Sequence, residues 1–129
     1  MINNRINISS NSPWEEKVGY SRAVRVNNLI FVSGTTALEN NHIVGVDDPY
    51  TQTIQCIKNM ESALINAKAE LSNIVRLRIY VVNINDWEII GKALNQYFID
   101  IKPAATMVEV QRLITPEVLV EIEADAYIN

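Results

Sequence analysis

Apolar residues recur along this chain with two different periods, and each period predicts an element. Ile54, Ile57, Met60, Leu64, Ala67 and Leu71 stand three or four positions apart, the spacing of one stripe along a helix. Asp47 or Asp48 ahead of Pro49 marks its start, since a carboxylate caps free N–H groups and proline at the first helical position gives up no hydrogen bond. The expected helix covers residues 49–69. A second stripe, Ile89, Ile90, Ala93, Leu94, Tyr97, Phe98 and Ile101, predicts another helix, opened by an Asn85–Glu88 capping box and stopped by Pro103. Between them residues 74–84 alternate and are rich in β-branched side chains, so they form a strand. Ahead of the first helix, residues 20–26 and 29–34 flank Asn27-Asn28, a pair that tolerates the positive φ of a tight hairpin. After the second, two alternating runs within 102–128 are joined by Ile114-Thr115-Pro116-Glu117, which predicts a closing β-hairpin with carboxylates on one face. Residues 35–46 read as a loop with room for a short strand. Residues 1–13 read as an extended arm in which Ile6 and Ile8 alternate like an edge strand.

The order β-β-α-β-α-β-β, with no linker or repeat, predicts a single α+β domain over 1–129: two layers, a mixed sheet with both helices on one face. The helix-free face is then expected to carry Arg76, Arg78, Tyr80, Met107, Glu109, Glu121 and Glu123, a mixture that is solvated or meets copies of itself.

Composition narrows the partners. With 48% apolar and 20% charged residues, a chain of 129 residues builds a core without disulfide or metal. Its longest apolar runs, such as residues 29–32, fall far short of the ~20 residues that span a bilayer, so no membrane partner is expected. The opening segment has no apolar stretch of the kind a secretory signal needs, which makes the cytoplasm the expected compartment. Cys56 and His42 each stand alone, which argues against a metal site. Eleven basic residues against fifteen acidic, a net charge of −4 and no basic stripe make nucleic acid an unsupported partner and a ribonuclease role the weakest of the activities considered.

Five motifs, in this order and spacing, resemble the RidA/YjgF family, also called endoribonuclease L-PSP: GYSRAVRVNNLIFVSGTT at 19–36, YTQTIQCIKNMESALINA at 50–67, RLRIYVVNINDW at 76–87, KPAATMVEVQRL at 102–113 and VEIEADA at 120–126. The resemblance spans residues 14–127. It implies the chorismate-mutase-like fold and a homotrimer with small-molecule clefts at the subunit interfaces, and no cofactor. In the best-known members those clefts hydrolyse enamine and imine intermediates, with an arginine clamping the substrate carboxylate and a glutamate handling water.

Carried over position by position, the resemblance makes Tyr20, Ser33 and Gly34 cleft residues and Glu121 the water-positioning glutamate. The clamp arginine is replaced by Ala105, followed by Thr106; the cysteine common in deaminating members by Met107; and a helical asparagine by Gly91. Ala105 offers no donor, so the usual deaminase activity is expected to be weak, as in arginine-less subgroups, and a non-catalytic metabolite-binding or regulatory role is the alternative. Arg78 is the candidate replacement cation, weighed against an ion-pair network with Glu109, Glu121 or Glu123. Glu121 is weighed in turn against being one rung of an acidic ladder with Glu123 and Asp125.

Overall fold

The expected N-terminal arm is tied into the sheet. In the computed structural model, which describes residues 4–129, β1 (Arg5–Ile8) runs antiparallel to β2 (Ala23–Val26), and Ile8 is buried opposite Ala23. Residues 1–3 of the arm lie outside the described residues. Between the two strands comes a short helix that the apolar periods did not predict, α1 (Pro13–Val18). Ser12 caps it by accepting from the Trp14 N–H, and Gly19 closes it at φ 87°, a conformation open to glycine without strain. Asn27, at φ 53°, turns β2 into β3 (Leu29–Thr35), the hairpin expected from the Asn pair. The loop that follows carries a two-residue ribbon of β4 (Leu38–Glu39) and β5 (His42–Ile43), turned by Asn40 and Asn41 at positive φ.

Asp48 starts α2 (Pro49–Asn66) as expected, its carboxylate accepting from the Thr51 N–H at 3.1 Å. The helix ends short of residue 69 because Lys68 takes φ 64°. After β6 (Ile74–Val81), Asn83 accepts from the Asn85 N–H at 3.0 Å and opens a turn of 3-10 helix that leads into α3 (Trp87–Phe98). The expected Asn85–Glu88 capping box is therefore not formed: Asn85 already lies inside the turn that Asn83 caps. The last two strands are β7 (Ala104–Glu109) and β8 (Val120–Tyr127).

The six long strands form one sheet in the order β1-β2-β3-β8-β6-β7, antiparallel except for the parallel pair β6 and β7. This corrects the closing hairpin. Crossing over on α3 returns the chain in the direction of β6, so β7 lands at the outer edge. The segment 110–119 then leads back to the slot between β3 and β6, which β8 fills. The register also corrects the face assignment. Ala105 pairs with Leu77 and Met107 with Ile79, so both belong to the helix-covered side, and Met107 packs on the core. Glu109 follows in that phase and accepts from the Ile84 N–H at 3.0 Å, while Thr106 and Val108 take the open face. Alternation fixes which residues share a side within one strand; it leaves the phase between strands open.

The two-layer α+β architecture is as expected. Ile30, Val32, Leu77, Ile79, Val120 and Ile122 of the sheet are buried against Ile57, Met60 and Leu64 of α2 and Ile90 and Phe98 of α3. Among the described residues no helix is long and apolar enough to cross a membrane.

One buried polar side chain fastens the returning segment. Gln52, on α2, is fully buried and donates from Nε2 to the carbonyls of Gly45 (3.0 Å) and Glu117 (2.8 Å), while its Oε1 accepts from the Leu119 N–H at 2.9 Å. Replacing it by leucine of similar size strands those three backbone groups. Gln52→Leu is expected to cost about 2–4 kcal/mol in urea or guanidinium unfolding, each orphaned group carrying its own desolvation penalty.

Candidate functional site

Backbone geometry at the end of β3 builds the site. The register between β3 and β8 slips between Val32 and Thr35, a bulge that takes Ser33 and Gly34 out of the regular ladder. Ser33 Oγ donates to the Ser21 carbonyl at 2.7 Å and Thr35 Oγ1 to the Ser33 carbonyl at 2.7 Å, so the bulge is braced by its own hydroxyls. The Ser33 proton is engaged there, which favours a strand-end cap over a nucleophile. Gly34 has its special use in close approach: a Cβ at this position would overlap Glu121 Oε2 and stand 3.0 Å from its Cδ.

Glu121 differs from its neighbours on β8. Arg78 Nη1 reaches Asp125 at 3.3 Å and Glu123 at 3.5 Å, and the Tyr80 hydroxyl donates to Glu123 at 2.5 Å. These contacts run diagonally along the sheet and leave Glu121 at the end of the ladder. Among the described residues no hydrogen-bond donor is bound to its carboxylate. Partial burial raises its pKa above the ordinary 4.5; the Arg22 charge opposes this and the Glu123 charge adds to it. Tyr80, its cross-strand neighbour, is itself raised, chiefly by its hydrogen bond to Glu123. Beneath the strand, burial and then the Glu121 charge push the Cys56 thiol far up, so it is an inert buried group.

Glu121, Gly34, Ser33 and Tyr20 line one broad cleft of about 1270 Å³, together with Arg22, Asn59 and Ser62 of α2, and Thr115 and Glu117 of the returning segment. Trp14 and the exposed His42 are also on its lining. Four of the sequence-derived residues are thus gathered in one place. Arg78 is elsewhere, committed to its two carboxylates in the ion-pair network described above. Gly91 lies on α3 with open space where a Cβ would be, and Ala105, Thr106 and Met107 lie on β7 at the sheet edge; none of these lines the cleft within one chain.

Arg22 is the residue that the motif reading passed over. Its Nη2 donates to the Gly34 carbonyl, its guanidinium carbon is 5.8 Å from the centre of the Tyr20 ring, and its Nε is buried without a partner. Position two beyond Tyr20 in an extended segment was the available signal, since alternate residues share a side. Behind it, buried Glu15 resists ionisation by desolvation. Hydrogen bonds from Ser10 and Ser9 and the Arg22 charge outweigh that and hold the carboxyl below its ordinary pKa. No group of three or more His, Cys, Asp or Glu among the described residues is arranged to hold a metal ion.

The chain is thus a two-layer α+β domain with a polar cleft built on the β3 bulge, beside a glutamate that has no hydrogen-bond donor among the described residues. Comparison with known proteins makes it specific. The Endoribonuclease L-PSP family model matches residues 10–128, and the chain belongs to that family, RidA/YjgF. A solved structure of a YjgF/YER057c/UK114 family member from Mycobacterium tuberculosis is similar at 46% identity and a TM-score of 0.89, covering 96% of this chain and 99% of that one. A RutC family protein of Pyrococcus abyssi is 38% identical over 110 residues, 84% of this chain and 85% of its own length. The 3-aminoacrylate deaminase RutC of Acinetobacter baylyi is 31% identical over 110 residues, 84% and 86% respectively.

The raised carboxyl of Glu121 has a sign in stability. The folded protein holds this proton at pH values where the unfolded chain, titrating near 4.5, has lost it. The stabilising contribution is full below that value and is lost as pH rises through the folded pKa. Glu121→Gln, which keeps the shape without the charge, is expected to melt above the wild type at neutral pH, the difference disappearing as the pH falls below about 4.5. Thermal melts across pH 3.5–8 check this.

Proposed function

We propose that this protein is a homotrimeric RidA-family hydrolase whose cleft converts a small imine or enamine to the carbonyl compound and ammonia. The observation that carries the reading is the Glu121 carboxylate, unpartnered, partly desolvated and pressed against the bulge at Gly34. A carboxylate with a raised pKa is a better proton carrier near neutrality than an ordinary one. In this reading an enamine first tautomerises to the imine. Glu121 takes a proton from water as the oxygen attacks the C=N carbon and passes it to the nitrogen. The carbinolamine hydroxyl then gives its proton to the nitrogen by the same carboxylate as the C–N bond breaks and the C=O bond forms. The products are C=O and ammonia, so no cofactor is called for.

The trimer is part of the proposal because the cleft is wide. Sites that enclose a small molecule run about 300–1,000 Å³, and a cleft of about 1270 Å³ needs a second wall to exclude water. The open sheet face supplies a reason to assemble: Leu29, Phe31 and Tyr127 are each 46% exposed there. A neighbouring copy would bring its β7 edge, with Ala105, Thr106 and Met107, and its Gly91 toward the cleft. The buried free thiol of Cys56 suits a reducing cytoplasm.

Ala105 favours a second reading, a non-catalytic metabolite-binding or regulatory protein on this scaffold, because no clamp is supplied from that position. The two separate in one experiment. Imines generated in situ from a panel of amino acids are expected to release ammonia faster with the protein than without, and Glu121→Ala to lose at least about tenfold of that rate, near the low end of what a general base contributes. Sedimentation should find both proteins trimeric. Saturable ligand-induced thermal stabilisation with no ammonia release across the panel would instead establish the binder.

A further inference from the structure

We propose that Arg22 is a positioning residue for Glu121: it grips the bulge against which that carboxylate packs, and its charge favours the anionic form that accepts a proton. This role presupposes the proton-accepting part proposed for Glu121. The grip has two points. The Arg22 carbonyl accepts from the Ser33 N–H at 3.0 Å and its Nη2 donates to the Gly34 carbonyl, so one residue takes hold of both bulge residues. Arg22 is itself tied down, its own N–H donating to the Ile8 carbonyl at 2.8 Å. Gly34 is in turn the residue whose missing Cβ makes room for Glu121 Oε2. A side chain that fixes the Gly34 peptide therefore fixes the surface that Glu121 meets. Among the described residues no ion pair joins Arg22 to Glu121, so the arginine acts on the carboxylate through the bulge and at a distance.

The buried Nε fits a group of this kind. It is closed off from solvent and has no partner, a desolvation cost that stability alone does not explain. What the cost leaves in place is a fixed positive charge near a carboxylate that lacks any other. Glu123 stands two residues along β8, the Tyr80 phenol across the sheet and the Cys56 thiol beneath on α2, while Glu117 and His42 share the cleft lining. Arg78 is spent on Glu123 and Asp125. Glu15, which also feels the Arg22 charge, is taken up by Ser10. Arg22 is accordingly the cation that opposes the effect of burial on Glu121, and a general base must be ionised to work.

Two substitutions separate the charge from the grip. Arg22→Gln keeps an N–H donor without the charge, and Arg22→Lys keeps the charge without the planar fork. In carbon NMR the Glu121 carboxyl, assigned by its loss in Glu121→Gln, should titrate at least about 0.5 pH unit higher in Arg22→Gln than in the wild type. In Arg22→Lys it should stay near the wild-type midpoint. The acid limb of the pH–rate profile for imine hydrolysis should move upward in Arg22→Gln by the same amount. Arg22→Lys should instead keep the limb and lose at least about tenfold in plateau rate with KM little changed, the mark of a displaced Glu121. One arm needs no Arg22 variant and stands even where these fail to fold. The wild-type Arg22 Nε–H resonance should shift as Glu121 titrates and should not shift in Glu121→Gln, because coupling between two sites is reciprocal. An unmoved Glu121 midpoint in folded Arg22→Gln, a wild-type plateau rate in Arg22→Lys, or an Arg22 resonance indifferent to Glu121 would each overturn the proposal. Imine hydrolysis with an unchanged acid limb in Arg22→Gln would sink it while leaving the hydrolase standing. The NMR coupling found without ammonia release from any imine would support the tie between Arg22 and Glu121 and sink the hydrolase.

Discussion

Glu121 occupies its place because residue 34 has no side chain. The carboxylate fills the volume a Cβ would take, and it does so beside a break in the ladder between β3 and β8. Several other features depend on that contact. The bulge turns the Gly34 carbonyl toward Arg22, the hydroxyls of Ser33 and Thr35 hold the bulge in shape, and the partial burial that follows raises the Glu121 pKa. A glycine in a strand usually weakens it. Here the loss is confined to the last residues of β3, where the strand has already left the regular sheet.

The charge pattern of the open face has a related logic. Three carboxylates of β8 point the same way, but the arginine and the tyrosine on β6 bind only Glu123 and Asp125. The third faces the cleft without a hydrogen bond, close to a guanidinium that is also short of partners. Opposite charges near each other yet unpaired are unusual in a finished core, because each retains a desolvation cost that pairing would offset. The arrangement is understandable where a ligand is to complete it.

The helices, the first hairpin and the two-layer class were legible from apolar periodicity, because α2 and α3 each bury one stripe against a single sheet face. The partnership of β7 was not. Its sequence alternates equally well beside β8 or β6, and only the crossover on α3 decides that it runs parallel to β6 with Met107 inward. Tyr20, Ser33, Gly34 and Glu121 were readable as a group from family motifs, whereas Arg22 sat in the same motif unnoticed; its relevance comes from the bulge carbonyl it meets. That Glu121 is the carboxylate left over was also hidden, since it depends on how far the Arg78 and Tyr80 side chains reach along the sheet.

The order of strands in space carries a consequence for how the molecule is made. β8 follows all five of the other long strands in the chain, yet it lies between β3 and β6 and is the only strand joining the two halves of the sheet. Until it inserts, one half is a three-stranded meander and the other a strand-helix-strand unit, each with an unsatisfied inner edge. Pairing across such sequence separations is slow, because loop closure must precede any gain from contact. The cleft acid travels on this same strand. Completion of the sheet and delivery of Glu121 are therefore one event, and a nascent chain that has not yet closed its sheet cannot present Glu121 beside the bulge.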